Sequence, residues 1–254
     1  MPSSPAAAPL PEPPPPKEDW ALFLDVDGSL LEIAPRPEEV RVPPRLLGVL
    51  ASLRDELAGA LALVSGRSLS VLDQLFAPLV MAAAGQHGLE RRDAGGRLLP
   101  LPPLPRGFEE VESSLAHFTE LHPGTLLERK SHGLALHFRG APACGEEAQR
   151  LAIVLAERCE PPLLAVPGKA VIELRVPGAD KGKAIADFMK EPPFAGRTPV
   201  FLGDDVTDED GFAVVNELGG LSVLVGRRPT QARWALPDVA AVHHWLTATP
   251  IETL

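Results

Sequence analysis

The chain contains 254 residues, of which 45% are hydrophobic and 23% charged, so it can bury one large core or two smaller ones. Its formal net charge of −10 argues against a nucleic acid or an anionic membrane surface as the main partner. A phosphorylated substrate is not excluded, because one cation held in a pocket reverses the local field.

The cysteines and the lengths of the hydrophobic runs indicate where in the cell the protein is expected. The two cysteines, Cys144 and Cys159, lack metal-ligand spacing, and we expect both to be reduced thiols. No apolar run approaches the ~20 residues that a membrane span needs. The N-terminus lacks the basic start and apolar core of a signal peptide. We therefore expect a cytoplasmic monomer that binds a small molecule rather than a membrane or a nucleic acid.

Residues 1–17 consist mostly of Pro, Ala, Ser and Glu, with four consecutive prolines at 13–16. Such a segment cannot bury enough surface to fold, so the composition predicts a disordered or polyproline-II tail. From Trp20 onward, patterns typical of strands and helices alternate. The predicted strands of this part are 20–24, 60–64 and 80–84. Pro43-Pro44 opens a predicted helix with leucines on one face, and a second helix is predicted over 69–76.

The alternation breaks between 106 and 176. After the proline-rich stretch 101–105, helices are predicted over 107–121 and 146–160, and strands over 126–130, 134–139 and 169–176. The last two strands alternate between apolar and polar residues, which is typical of a sheet with one buried and one solvated face. We expect this insert to be a small antiparallel α+β domain.

The chain then returns to the first pattern. The predicted elements of this part are a helix at 181–190, a strand at 199–202, a helix at 209–218, a strand at 221–225 and short helical pieces beyond. The fold class is thus α/β: a Rossmann-like parallel sheet with helices on both faces, formed by 18–105 and 177–254, with an inserted α+β cap over 106–176.

Two acidic segments directly follow apolar strands. The first is Asp25-Val26-Asp27-Gly28-Ser29, and the second is Gly203–Asp210, which contains Asp204, Asp205 and Asp208. The carboxyl ends of parallel strands meet at one edge of a sheet, where open α/β folds bind ligands. Carboxylates held this close repel one another unless a cation intervenes, and an all-oxygen ligand set favours Mg²⁺.

Individual residues in these segments suggest phosphate chemistry, although each has an ordinary structural alternative. Asp25 and Asp27 can divide nucleophilic attack and proton transfer, but Asp and Gly are also common in turns. Ser65 at a helix entrance suits a phosphate, or simply an N-cap. Lys181 at a helix start is mildly unexpected, and it is explained either by a phosphate or by solvent exposure.

Taken together and in this order, the pieces resemble the four motifs of the haloacid-dehalogenase-like phosphohydrolases. Asp25–Ser29 corresponds to the first motif, Ser65 to the second, Lys181 to the third and Asp204–Asp208 to the fourth. Within that superfamily, further stretches resemble the trehalose-6-phosphate phosphatase family: 85–90, 128–130 with 137–139, 168–175 and 203–210. The resemblance extends from about Trp20 to Trp245.

The resemblance implies hydrolysis of trehalose 6-phosphate through an aspartyl-phosphate with Mg²⁺, as the last step of trehalose biosynthesis. Asp25 is then the nucleophile, Asp27 the general acid and base, and Ser65 and Lys181 the phosphate clamp. Mg²⁺ is expected on Asp25, the backbone carbonyl of Asp27 and Asp204, with Asp208 and Asp205 in support.

The resemblance also implies that the cap is a lid that binds the sugar and excludes water. The expected substrate-binding residues are His87, Gly88, Glu128, Lys130, Arg139, Lys169 and Glu173. The family commonly has Tyr or Phe where this chain has Val26, and Thr where it has Ser29; the chain contains no tyrosine. Two alternatives stay open: a phosphatase of the same superfamily acting on sucrose-phosphate or a hexose phosphate, and a non-catalytic domain that senses sugar phosphates.

Overall fold

The computed structural model describes residues 10–34, 36, 39–130 and 132–248, and these form two units. The core unit comprises the described residues up to Leu101 and from Ala179 onward, and the cap unit comprises Pro102–Gly178. The predicted insert, 106–176, lies within the cap unit. In the described part of the chain, no helix is both long and apolar enough to span a membrane, and Cys144 and Cys159 are free thiols.

The elements follow one another along the chain in three groups. The first group, in the core unit, is β1 (Trp20–Leu24), α1 (Pro44–Glu56), β2 (Leu61–Val64), α2 (Leu69–Phe76), β3 (Ala82–Gly85) and β4 (Glu90–Arg92). The cap unit contains α3 (Phe108–Leu121), β5 (Leu126–Lys130), β6 (Gly133–His137), α4 (Gly145–Ala156), β7 (Leu164–Gly168) and β8 (Val171–Arg175). The core unit then continues with α5 (Lys181–Phe188), β9 (Thr198–Gly203), α6 (Glu209–Glu217), β10 (Leu221–Val225), β11 (Trp234–Leu236) and α7 (Val239–Leu246).

The core unit is built on a seven-stranded sheet in the order β11-β10-β9-β1-β2-β3-β4. All neighbouring strands are parallel except β3 and β4, which are antiparallel. Every residue of β1 and β2 is buried, as expected for central strands covered on both faces. In the register, Leu24 lies opposite both Leu63 and Leu202, so β1, β2 and β9 end at the same edge. The predicted α/β class is confirmed.

The helices of the core unit form where apolar spacing predicts them. Pro44 occupies the first turn of α1, where its missing amide hydrogen has no intrahelical role. Leu46, Leu50 and Leu53 of α1 are buried against the core. The bounds of α2 are those predicted, and Ser68 caps it by accepting a hydrogen bond from the amide of Val71.

Three strands were not predicted, and none of them shows alternation of apolar and polar residues. β4 consists of charged residues, and Arg92 is buried because Asp73 and the Met81 carbonyl bind its guanidinium. β7 contains Pro167, which is compatible with its position at the edge of the cap sheet. β11 has three residues and pairs only with β10 among the described strands.

The predicted disordered tail is wrong for residues 10–17. Pro13 and Pro16 are buried, and Leu10 packs against the core. The carbonyl of Pro11 accepts a hydrogen bond from the amide of Ala235 (2.9 Å), and the carbonyl of Pro14 accepts one from the indole of Trp245 (2.8 Å). Proline lacks a donor but keeps its carbonyl, so an extended proline segment can dock as an acceptor. The prediction for residues 1–9 lies outside the described residues.

The cap unit contains an antiparallel sheet in the order β5-β6-β8-β7. One face carries Leu134, Leu136, Ile172 and Leu174, which are buried beneath the helices. The predicted strand 126–130 has the observed bounds, whereas 134–139 extends past the end of β6 at His137 and 169–176 begins before β8 at Val171. Lys169 and Ala170 form the turn between β7 and β8, with Ala170 at a φ of +62°, and Arg139 lies in the turn after β6. Lys169 therefore does not share a strand face with Glu173.

Candidate active site

The carboxyl ends of three neighbouring strands bring the predicted catalytic residues to one edge of the core sheet. Asp25 directly follows β1, Ser65 follows β2, and Asp204 follows β9. The amide of Asp25 donates to the carbonyl of Leu202 at 3.0 Å, which ties the ends of β1 and β9 together. Asp25 and Ser65 are almost fully buried, although both are polar.

Lys181 is buried at the first position of α5 and lies between two carboxylates. Its Nζ is 2.7 Å from Oδ1 of Asp25 and 2.6 Å from Oδ1 of Asp208. Burial alone lowers the pKa of Lys181, but the attraction of Asp25 and Asp208 outweighs it and raises that pKa above its usual value. Lys181 is therefore a charged group inside the site and not an exposed lysine.

Asp25, Asp204 and Asp208 form an acidic cluster in which one carboxylate oxygen of each lies within 4.8 Å of the others. Burial raises the pKa of Asp25 to about 8; Lys181 opposes this rise and Asp208 adds to it. Burial also raises the pKa of Asp204 to about 6, and the charges of Asp208 and Asp205 add to the effect. With Lys181, the fully ionised cluster carries a formal charge of −2, so it has an excess of negative charge.

Asp208 and Asp205 have different surroundings although they are three residues apart. Asp208 is fully buried, and its Oδ2 accepts hydrogen bonds from the amides of Asp204 (3.0 Å) and Asp205 (2.9 Å). Asp205 is exposed, and its side chain caps the turn by accepting from the amide of Val206. The acidic cluster found among the described residues does not include Asp205, and its support of the metal stays a prediction.

Asp27 lies two residues beyond Asp25 and binds Arg67 through both oxygens. Nε of Arg67 donates to Oδ2 at 2.6 Å, and Nη2 donates to Oδ1 at 2.7 Å. The chain turns directly after Asp27, and Gly28 allows this turn. It has a φ of +85°, and an added Cβ would lie 2.2 Å from Oδ2 of Asp204. The hydroxyl of the buried Ser29 points to Oδ1 of Asp204 at 3.4 Å.

The loop after β2 packs against the predicted substrate residue His87. Oγ of Ser65 accepts a hydrogen bond from the amide of Arg67 at 3.1 Å. A Cβ on Gly66 would lie 2.8 Å from the ring of His87, so the imidazole covers the backbone of this loop. Gly88 has a φ of +102°, and a Cβ there would lie 2.5 Å from the carbonyl of Asp180. Gly88 thus allows close packing next to the start of α5.

The polar face of the cap sheet contains three of the predicted sugar-binding residues. Nζ of Lys130 lies 2.9 Å from Oε1 of Glu173, and Oε2 of Glu128 lies 2.9 Å from Nε2 of His137. Arg175 also binds Glu173, at 2.5 and 2.8 Å. Burial raises the pKa of Glu173, but Lys130 and Arg175 outweigh it and hold that pKa below the usual value. Glu173 is therefore held as a carboxylate between two cations.

Three arginines near these residues were not predicted as functional. Arg67 binds Asp27, Arg175 binds Glu173, and Arg228 donates to the carbonyls of Asp204 and Asp205. A signal existed for the first two, since Arg67 follows Ser65-Gly66 directly and Arg175 is two residues from Glu173 on one strand. For Arg228, no pattern in the sequence gives a signal.

Comparison with known proteins supplies a family. A sequence model of the family described as Trehalose-phosphatase matches residues 23–240. The chain is 45% identical over 242 residues to the trehalose-6-phosphate phosphatase of Escherichia coli strain K12, covering 94% of this chain and 89% of that protein. It is 44% identical to the probable trehalose-phosphate phosphatase of Sinorhizobium fredii over 87% of this chain and 83% of that protein. The C-terminal domain of a C. albicans trehalose-6-phosphate phosphatase shares the fold, with a TM-score of 0.72 at 24% identity, covering 89% of this chain and 91% of that one.

Proposed function

We propose that this chain, which belongs to the trehalose-phosphatase family, hydrolyses trehalose 6-phosphate to trehalose and inorganic phosphate in trehalose biosynthesis. The family match and the two bacterial relatives support the phosphatase activity and this substrate. The observation that carries the chemistry is the buried Asp25 carboxylate, 2.7 Å from the ammonium of Lys181 and next to two further carboxylates.

Asp25 is the proposed nucleophile. One of its carboxylate oxygens attacks the phosphorus, the bond between phosphorus and the sugar oxygen breaks, and an aspartyl-phosphate forms. The bond from Lys181 orients the Asp25 carboxylate, and the ammonium stabilises the charge that develops on the phosphoryl oxygens. The hydroxyl of Ser65, at the end of the adjacent strand, is the proposed second member of the phosphate clamp.

Asp27 is the proposed general acid and base. It donates a proton to the departing sugar oxygen, and it then accepts a proton from the water that attacks the aspartyl-phosphate. Water attack releases phosphate and restores the Asp25 carboxylate. The bidentate contact with Arg67 restricts Asp27 to one orientation and engages both of its oxygens. The contact must therefore open at one oxygen before Asp27 can carry the proton that it donates to the sugar oxygen.

The residues present fit Mg²⁺. The donors are all oxygen atoms, as this hard cation prefers, and a divalent ion would bring the formal charge of the acidic cluster with Lys181 from −2 to zero. Asp25, Asp204 and the backbone carbonyl of Asp27 would hold the ion, while Asp208 orients the Asp204 loop through two amides. When bound, the ion neutralises charge on the phosphoryl group.

The sugar-binding residues are proposed to be Glu128, Lys130, Arg139, Lys169 and Glu173 of the cap unit, with His87 and Gly88 of the core unit. Charged side chains that already exchange hydrogen bonds, such as Lys130 with Glu173, offer both donors and acceptors to sugar hydroxyls. Arg139 and Lys169 are exposed residues of turns.

A substrate panel tests the function. The purified chain is incubated with Mg²⁺ and trehalose 6-phosphate, sucrose-phosphate or a hexose phosphate, and released phosphate is measured. We expect the highest kcat/KM on trehalose 6-phosphate. A higher kcat/KM on another sugar phosphate would identify that compound as the preferred substrate and would leave the proposed mechanism unchanged. Binding of sugar phosphates without phosphate release would instead favour a sensing domain. Cytoplasmic location and the monomeric state stay predictions from the sequence.

A further inference from the structure

Arg228 lies in the loop after β10, and its guanidinium group contacts the segment that carries Asp204. Nε donates to the carbonyl of Asp204 at 2.7 Å, and Nη2 donates to the carbonyl of Asp205 at 2.5 Å. Nη1 forms an ion pair with Glu209 at the start of α6 and donates to the carbonyl of Pro229. One planar group therefore holds two successive carbonyls and the helix that follows them.

Asp208 holds the same two residues from their amide groups. Its Oδ2 accepts from the amides of Asp204 and Asp205, at 3.0 and 2.9 Å. Both the N–H and the C=O groups of Asp204 and Asp205 are therefore bound. The Ser29 hydroxyl contacts the Asp204 carboxylate at a long 3.4 Å, so the backbone does much to set the direction of that carboxylate.

We propose that Arg228 is a positioning residue for the cation site: by binding the carbonyls of Asp204 and Asp205, it holds the Asp204 carboxylate toward Asp25. This inference rests on the proposed magnesium site. Groups that orient a metal ligand without touching the metal typically change its affinity ~10- to 100-fold when mutated. Arg228 is expected to act in this way through the backbone.

The Arg228→Lys variant separates positioning from charge. A lysine keeps a cation beside Glu209, but a single ammonium cannot reproduce the planar fork that reaches both carbonyls. Glu209 also stays bound, because it accepts hydrogen bonds from the hydroxyl of Thr230 and the amide of Gln231, each at 2.8 Å. The bonds lost are chiefly those to the Asp204 loop.

Arg92→Lys is the matched control. Arg92 is also largely buried, with one bond from Nε to a carbonyl, that of Met81, and a bidentate ion pair with Asp73. None of these partners belongs to the acidic cluster. Its replacement should therefore lower stability in the same way as Arg228→Lys without changing the cation site.

The experiment titrates Mg²⁺ into metal-free wild type, Arg228→Lys and Arg92→Lys by isothermal calorimetry. We expect the Kd for Mg²⁺ to rise about 10-fold or more in Arg228→Lys and to stay within about twofold in Arg92→Lys. In phosphate-release assays, saturating Mg²⁺ should restore kcat in Arg228→Lys, which a general loss of structure would not allow.

Three results would overturn the inference: an unchanged Kd in folded Arg228→Lys, an equal rise in both variants, or a wild type that does not bind Mg²⁺. If circular dichroism shows that Arg228→Lys is unfolded, Arg228→Gln replaces it. That variant also lacks the planar fork that reaches both carbonyls, and unchanged Mg²⁺ binding in it would also refute the role. A wild type that binds Mg²⁺ but does not hydrolyse trehalose 6-phosphate would refute the proposed function and leave this inference standing.

Discussion

The ammonium of Lys181 lies 2.7 Å from the carboxylate of Asp25, although 156 positions separate the two residues. Both side chains are almost completely buried, at 4% and 5% exposure. An unpaired charge would be costly at this depth, so the pair depends on both partners and on the adjacent Asp208. The contact joins the end of β1 to the start of α5 and places a cation beside the proposed nucleophile.

Replacing the nucleophile should abolish turnover. Asp25→Asn keeps the size of the side chain but removes the attacking carboxylate, so we expect kcat on trehalose 6-phosphate to fall at least ~1,000-fold. Phosphate release measures the loss, and circular dichroism verifies the fold. A variant that retains near-normal phosphate release would exclude Asp25 as the nucleophile.

The metal-free protein should lose stability as the pH rises from about 4 to about 8. The pKa of Asp25 is about 8 in the folded chain against 3.8 as its ordinary value, so over this range the folded state retains a proton that the unfolded state has lost. Stability then decreases with pH. Thermal unfolding in EDTA should show that Asp25→Asn gains in Tm relative to wild type as pH rises through this window. A difference in Tm that does not change with pH would contradict the raised pKa.

Removing Glu173 should impair sugar recognition more than phosphate chemistry. We expect Glu173→Ala to lower kcat/KM on trehalose 6-phosphate about 100-fold and to affect a small generic phosphate ester much less, because only the first has hydroxyls for this face to bind. Glu112→Ala is the control, since Glu112 pairs with Arg129 in the same unit. Equal losses on both substrates would count against a sugar-binding role.

Arg67→Lys should slow the protonation of the leaving group. The variant keeps a cation near Asp27 but loses the bidentate contact, and we expect kcat on trehalose 6-phosphate to fall ~10-fold or more. p-Nitrophenyl phosphate needs no proton on its leaving group, so its hydrolysis should change much less. The same loss on both esters would mean that Arg67 acts on the phosphate and not through Asp27.

Removing residues 1–17 should destabilise the core unit. The truncation deletes the acceptors for the amide of Ala235 and the indole of Trp245, together with the buried prolines, and we expect unfolding free energy to fall by about 1–3 kcal/mol. Urea denaturation of this variant is compared with that of a chain lacking only residues 1–9. Identical midpoints for the two truncations would show that residues 10–17 contribute nothing.

Several elements were predictable because their cause is local. The apolar runs of β1 and β10 and the spacing of α2 reproduce the observed bounds, since burial on one or both faces leaves a periodic record in the chain. The positions of Asp25, Ser65 and Asp204 at strand ends follow from the same pattern. β4 and β11 were not predicted, because each has only three residues, too few to show alternation, and β4 consists of charged residues.

Some features of the site were likewise predictable from the sequence, and others were not. The order of residues was sufficient to indicate a parallel sheet, its acidic edge, the motifs of the family and the separate cap. Which carboxylate turns inward was decided by the tertiary structure, since Asp208 is buried and Asp205 is exposed on the same short turn. The roles of Arg67 and Arg228, and the docking of residues 10–17, were decided there as well. Hydrogen bonds between groups far apart in the chain depend on where the folded backbone brings their donors and acceptors. Hydrophobic periodicity does not predict these positions.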